Sequence, residues 1–173
     1  IDKEKADALA RQFCSVFSEP IKDVPLLEQR NDVEISEFQI TDEHLLSAIN
    51  QMKSNTSPGP DKFPSTLLKH TISTTSKPLL IILKQITERG HIPKILKSSV
   101  ICPIYKSGKE RNKPSSYRPI CLTSVIMRAF EKIIRIQLVK YFEDNQLFND
   151  SQHGFRQSRS CLSQLLNFYD EIL

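Results

Sequence analysis

Apolar residues return at helical spacing along most of the chain, and in one stretch the period shortens to that of strands. Ala8, Leu9, Phe13, Val16 and Phe17 fall among charges over residues 2–18 and predict a helix that stops near Glu19-Pro20. Thr41, then Asp42 and Glu43, then Leu45, Leu46, Ile49 and Met52 predict a second helix ending by Asn55. The threonine oxygen suits the N-cap, and the two acids suit the positive end of the helix dipole. Ser65 to His70 reads as a short helix. Pro78 reads as the first turn of another, whose Leu79, Leu80, Ile81, Ile82, Leu83 and Ile86 are apolar nearly all round and predict burial, with Gly90 as its stop. Ile126, Phe130, Ile133, Ile134, Leu138 and Phe142 mark a long helix from Ser124 to about Asn145. A last amphipathic helix carries Cys161, Leu162, Leu165, Leu166 and Phe168.

The strand-like stretch runs from Ser98 to Ser124. Val100 to Tyr105 and Tyr117 to Leu122 are short runs rich in Val, Ile, Tyr and Leu, separated by a polar connection with Ser-Gly and Pro-Ser-Ser, and this predicts a β-hairpin. Its tip carries Lys106, Lys109, Arg111 and Lys113, with Arg118 just inside the second limb. Upstream, Ser57-Pro58-Gly59-Pro60-Asp61-Lys62-Phe63-Pro64 cannot form regular structure and reads either as an inter-helix loop or as a shaped loop at a functional edge. The pattern sums to an α-rich α+β unit with few strands.

Composition changes this picture only through its distribution. The 173 residues suffice for one sizeable core, and the formal net charge is +4. Residues 1–50 hold five Lys/Arg against eleven Asp/Glu, whereas residues 84–118 hold nine against two, so the basic block coincides with the hairpin. The four cysteines are far apart, with no Cys-x-x-Cys pair, and read as reduced thiols in an intracellular protein. No apolar run approaches the roughly 20 residues of a membrane span.

Catalytic templates are missing. The four histidines are scattered, no Walker-type glycine loop occurs, and no strand carries the separated acids of a two-metal site. Glu143-Asp144 and Asp170-Glu171 read as solvated helix positions. Lys106, Arg118, Arg156 and Arg159 suit a triphosphate or a nucleic-acid backbone, because Arg offers a planar fork and Lys a mobile point charge. The plainer reading, a soluble charged tip, fits Lys109, Arg111 and Lys113. Arg118, between Tyr117 and Pro119-Ile120, is expected to be buried and partnered. Arg156 follows Gly154-Phe155, which reads either as a backbone fixed beside a strand or ligand or as a helix-capping turn.

Four motifs in order, Ser57-Pro58-Gly59-Pro60-Asp61, Val100 to Gly108, Ser116 to Ser124 and Gln152-His153-Gly154-Phe155-Arg156, resemble the reverse transcriptase of non-LTR (LINE-type) retrotransposons. The resemblance covers about residue 40 onward. It implies the helix-rich fingers of a right-hand polymerase with a short antiparallel β-hairpin: residues 41–173 as a partial domain of fingers and the start of the palm, and residues 1–40 as a linker or irregular segment with an N-terminal helix. It implies that Lys106 and Arg118 hold the triphosphate of the incoming nucleotide, and that Gly154, Phe155 and Arg156 line the template and nucleotide side. The implied partners are an RNA template, a DNA primer, a deoxynucleoside triphosphate, the remaining palm and thumb, and an upstream endonuclease, in the nucleus and with no membrane. The complete enzyme would use Mg2+ or Mn2+ on palm aspartates, which are expected after Leu173. On that expectation these residues hold no catalytic group and no metal and do not polymerise DNA alone. Leu96-Lys97 stands where the family usually has Trp before the basic residue. Two other readings are a degenerate, inactive copy or a non-catalytic nucleic-acid-binding module. A helical interaction protein is a third.

Overall fold

The computed structural model describes residues 2–18 and 38–172, so most of the arm read as irregular lies outside the described residues. The described chain falls into two compact units, one built mainly from residues 2–18 and 39–133 and the other from residues 134–172.

In the first unit α1 (Asp2–Cys14) is followed by α2 (Asp42–Asn50), α3 (Ser65–Arg89) and a single turn, α4 (Lys94–Lys97), which the apolar pattern does not announce. The chain then forms β1 (Ser99–Tyr105) and β2 (Tyr117–Thr123), with a short 3-10 turn over Pro114–Ser116, and enters α5 (Val125–Asp144). Thr41 caps α2 as expected, its Oγ1 accepting from the His44 N–H at 3.2 Å. At the other end Lys69 Nζ donates to the Asn50 carbonyl at 3.2 Å, a cation at the negative end of α2. The core is drawn from α2 (Leu45, Ala48, Ile49), α3 (Leu68, Leu79, Leu83, Ile86) and the first turns of α5 (Val125, Ala129, Phe130, Ile133), with Ile40 beside them.

Two expectations about residues 65–89 are corrected. They form one helix rather than two, with Pro78 in its interior. Pro78 leaves the Thr74 carbonyl without its helical donor, but both residues are exposed, so that carbonyl is open to solvent. Leu68 before the proline and Leu79, Leu83 and Ile86 after it lie on one buried stripe, and tertiary packing outweighs the local penalty. The helix is also not buried all round. Ile81 and Ile82 are 58% and 43% exposed, because α3 meets the core along that stripe alone.

Among the described residues the only sheet is the two-stranded antiparallel ribbon β1–β2, with Ser99 opposite Thr123 and Tyr105 opposite Tyr117. A ribbon this narrow covers neither face, and Val100, Ile101, Ile104 and Ile120 are each more than two-fifths exposed. A two-stranded hairpin is marginal by itself in water, so its attachments at base and tip matter.

The second unit consists of the later turns of α5, the loop 145–160 and α6 (Cys161–Ile172). α5 ends with Gln146 at φ 54°, the Leu147 N–H donating to the Phe142 carbonyl and the Gln146 N–H to the Glu143 carbonyl, a left-handed C-terminal cap made without glycine. α6 buries none of its own residues and is tied to the loop by polar contacts.

Candidate functional site

Strand pairing decides which hairpin side chains share a face. Ile104 is opposite Arg118, and the Lys106 N–H donates to the Ser116 carbonyl at 2.8 Å, carrying the ladder one step beyond Tyr105–Tyr117. Side chains alternate with period two, so Lys106 and Arg118 are diagonal neighbours on one face while Tyr105 and Tyr117 project from the other. The two rings meet edge-to-face with centroids 5.8 Å apart. Tyr105 Oη donates to the Lys109 carbonyl and Tyr117 Oη to the Arg111 carbonyl at 2.9 Å, so the tyrosines pin the tip loop to the strands. The Arg111 guanidinium lies 5.0 Å from the Tyr105 ring centroid, and Lys113 pairs with Glu110 at 2.8 Å. Arg111 is therefore more than a solubilising charge.

Lys106 is half-buried and its Nζ donates to the Ser115 carbonyl at 2.9 Å. Arg118 differs from expectation. It is exposed rather than buried, and among the described residues its guanidinium has no hydrogen-bond or ion-pair partner. The physical reason is the width of the sheet: among the described residues no third strand and no helix lies over this face.

The Ser57–Asp61 segment is a shaped loop seated on the base of the hairpin. Gly59 is buried, and a Cβ there would lie 2.6 Å from both the Ser124 nitrogen and the Thr123 carbonyl carbon. Only glycine permits that approach. The loop is fastened by Arg128 Nη2 to the Ser57 carbonyl at 2.8 Å, by the Lys62 N–H to the Gly59 carbonyl at 3.0 Å and by the Phe63 N–H to Asp61 Oδ1 at 3.2 Å. The first and third sequence motifs thus meet where β2 passes into α5.

In the second unit, Arg156 holds Glu143 in both arms of its fork, Nε to Oε1 at 3.0 Å and Nη2 to Oε2 at 2.8 Å, and lies 4.9 Å from the Phe148 ring centroid. Its Nη1 reaches the Asn149 and Gln152 carbonyls, both at 3.4 Å. The hydrogen bond from Arg156 holds the Glu143 carboxyl below the usual glutamate range against the opposing effect of desolvation. The same hydrogen bond raises the arginine. Glu143 is therefore the anchor of the loop rather than a solvated helix position, and Arg156 is a clamp rather than part of a capping turn. Asp144 pairs with Lys140.

His153, 2% exposed, anchors the other side. Its Nε2 lies 3.3 Å from Arg159 Nη1 and 3.3 Å from Asn167 Nδ2, both donors, so Nε2 accepts and the proton sits on Nδ1, which donates to Ser163 Oγ at 2.8 Å. Ser160 and Ser163 close the start of α6 reciprocally, each accepting on Oγ the other's backbone N–H, at 2.9 and 3.1 Å. Between the anchors, Phe155 sits at φ 63° and is 93% exposed. Gly154 has only ordinary space around it, a Cβ there meeting Gln152 Nε2 at 3.5 Å. Lys106 and Arg118 thus share one face in the first unit, and Gly154, Phe155 and Arg156 share one anchored turn in the second. The histidines are scattered in sequence, and only the serines seven and ten residues on hint that His153 belongs to a cap.

The curated relatives of this chain are polymerases of mobile elements. A probable RNA-directed DNA polymerase from transposon BS of Drosophila melanogaster is 31% identical over 131 residues, which is 76% of this chain and 14% of the relative. One from transposon X-element of the same organism is 28% identical over 142 residues, 82% of this chain and 15% of the relative. The RNA-directed DNA polymerase from its mobile element jockey is 25% identical over 126 residues, 73% of this chain and 14% of the relative. The chain is homologous to a segment of the non-LTR retrotransposon RNA-directed DNA polymerases. It spans about one-seventh of the length of those relatives. No protein-family model matches it. RNA-directed DNA polymerases of this kind imply a divalent metal, and among the described residues no group of three His, Cys, Asp or Glu could hold one. Among the described residues no helix is long and apolar enough to cross a membrane.

Proposed function

We propose that this chain is the nucleotide-holding part of an RNA-directed DNA polymerase, corresponding to the fingers and the start of the palm of a right-hand polymerase. In this reading the Lys106–Arg118 face of the hairpin takes the triphosphate of the incoming deoxynucleotide. The turn of Gly154 and Phe155 faces the template and nucleotide side, and Arg156 holds that turn in place. The observation that carries the proposal is the exposed guanidinium of Arg118, free of partners among the described residues, on the same face as Lys106. A planar cation on a pinned ribbon can offer two parallel hydrogen bonds to phosphate oxygens without first breaking an internal pair. Lys106 can join it by exchanging the Ser115 carbonyl for a phosphate oxygen.

Calorimetric titration of the chain with a deoxynucleoside triphosphate tests this. Hydrogen bonds to charged groups are worth about 1.5–3 kcal/mol, so Arg118→Ala weakens binding by roughly tenfold or more. Lys106→Ala costs less, because its ammonium gives up an existing acceptor. The nucleoside without phosphates is expected not to bind. If the double variant binds the triphosphate as well as the parent chain, the assignment is wrong. Strong salt-dependent binding to single-stranded RNA with none to the triphosphate would instead favour contact with a nucleic-acid backbone.

A further inference from the structure

The helix at the start of the chain is seated on the hairpin. Lys5, Ala8 and Leu9 of α1 border a cleft of ≈ 480 Å³ whose opposite wall is Arg111, Asn112, Pro114 and Tyr117, the tip loop and the first residue of β2. Ala8, Leu9, Gln12 and Phe13 are the residues of α1 that lose exposure, at the three- and four-residue spacing of one helix face, and Phe13 is 7% exposed. The hairpin residue at this wall, Tyr117, projects from the face opposite Lys106 and Arg118. α1 therefore packs against the Pro114–Ser116 turn at the tip on the side of Tyr117, and among the described residues the basic front is left open.

We infer that α1 is a brace that positions the hairpin tip, with Leu9 as a positioning residue for the triphosphate-holding face. The functional half of this inference rests on the proposed nucleotide role, while the mechanical half stands on the geometry alone. A two-stranded ribbon exposed on both faces lacks the burial to hold its own tip. The tyrosine hydroxyls fix the loop to the strands, and the apolar stripe of α1 fixes that assembly from behind. Among the described residues α1 is on one side of the tip, and Lys106 and Arg118 are on the other.

Hydrogen exchange of the full 173-residue chain reads the mechanical half. Leu9→Ala removes about half a leucine's worth of burial and raises exchange at the tip, where the Lys106 N–H is held by Ser116, by roughly fivefold. Leu9→Asp raises it further, Leu9→Met restores the parent rate, and α2–α3 amides are unchanged. The idea fails if tip exchange is unaltered, or if in both Ala and Asp variants it rises no more than in α2 and α3. Titration with a deoxynucleoside triphosphate reads the functional half: Leu9→Ala weakens binding severalfold and Leu9→Met does not. A parent chain that binds no triphosphate overturns the nucleotide role and leaves the exchange result to decide the brace. Unchanged affinity in Leu9→Ala beside faster tip exchange overturns the positioning role.

Discussion

Replacing Gly59 by alanine tests whether the Ser57–Asp61 loop and the base of the hairpin form one packed joint. The φ of Gly59 is not in the left-handed region, so alanine can adopt the backbone, and the obstacle is space alone. The new Cβ would stand 2.6 Å from the Ser124 nitrogen and the Thr123 carbonyl carbon and 2.7 Å from the Thr123 oxygen. Ordinary contact begins at 3.4 Å, so one side must retreat by about 0.8 Å. Neither side is loose. Thr123 is paired with Ser99, Ser124 accepts from the Arg128 N–H at 3.0 Å, and the loop is held by Arg128 on the Ser57 carbonyl. Overpacking of this kind costs about 1–3 kcal/mol, and the stiffer unfolded chain offsets about 0.4–1 kcal/mol of it. A net loss of about 1–2 kcal/mol lowers the melting midpoint by roughly 2–8 °C at this chain length. Thermal melts followed by circular dichroism measure it, and Gly59→Val, with more atoms in the same space, falls further. A Gly59→Ala chain that melts at or above the parent temperature would falsify the joint.

Two further predictions concern the second unit. Glu143→Gln at neutral pH removes the charge from the Arg156 fork and speeds hydrogen exchange over residues 149–158, while Asp144→Asn leaves it alone. Because the Glu143 pKa is lowered in the folded chain, its contribution is fully present above the ordinary glutamate range and is lost as pH falls through the depressed value. Acidification should therefore reproduce the Glu143→Gln exchange pattern, and a loop equally protected on both sides of that range contradicts the clamp. His153→Ala leaves Asn167 and Arg159 without their shared acceptor and Ser163 Oγ with the Ser160 N–H as its remaining donor. With about 1–3 kcal/mol at stake at a site 2% exposed, exchange over residues 161–172 rises at least several-fold. Unchanged exchange there means α6 is held by something else.

The parts that were legible from sequence are those whose cause is local. Thr41 as cap, Gly90 as stop, and the β-rich limbs around the Ser-Gly tip each act within a few residues, and each appears where expected. What was illegible depends on distant partners. Pro78 opens a new helix by local rules, but one helix runs through it because Leu68 before it and Leu79 after it lie on the same buried stripe. Ile81 and Ile82 look as apolar as Leu83, and nothing in the local pattern says that α3 has a single packed stripe. The number of strands in a sheet is likewise not written in any one strand, so the burial expected of Arg118 had no local correction. Gly59 meets Thr123 and Ser124, and Arg156 meets Glu143 thirteen residues back, contacts that exist only once the elements have assembled.

The same logic separates arginines that sequence treats alike. A guanidinium has five donors, and its availability to a ligand is set by how many are already committed. Arg156 commits donors to both oxygens of Glu143 and to two backbone carbonyls while its plane rests near Phe148. A phosphate would have to displace a carboxylate already in the fork and would leave that carboxylate unpaired. Arg159 gives its Nη1 to the His153 anchor. Arg118 commits none among the described residues, and its neighbour Lys106 commits one donor of three. Anion binding should therefore follow Arg118 strongly, Lys106 less, and Arg156 only through the order of its turn. Arg156→Ala then differs from Arg118→Ala in kind: it disorders residues 149–158, and Glu143→Gln mimics it, whereas no carboxylate substitution mimics the loss of Arg118.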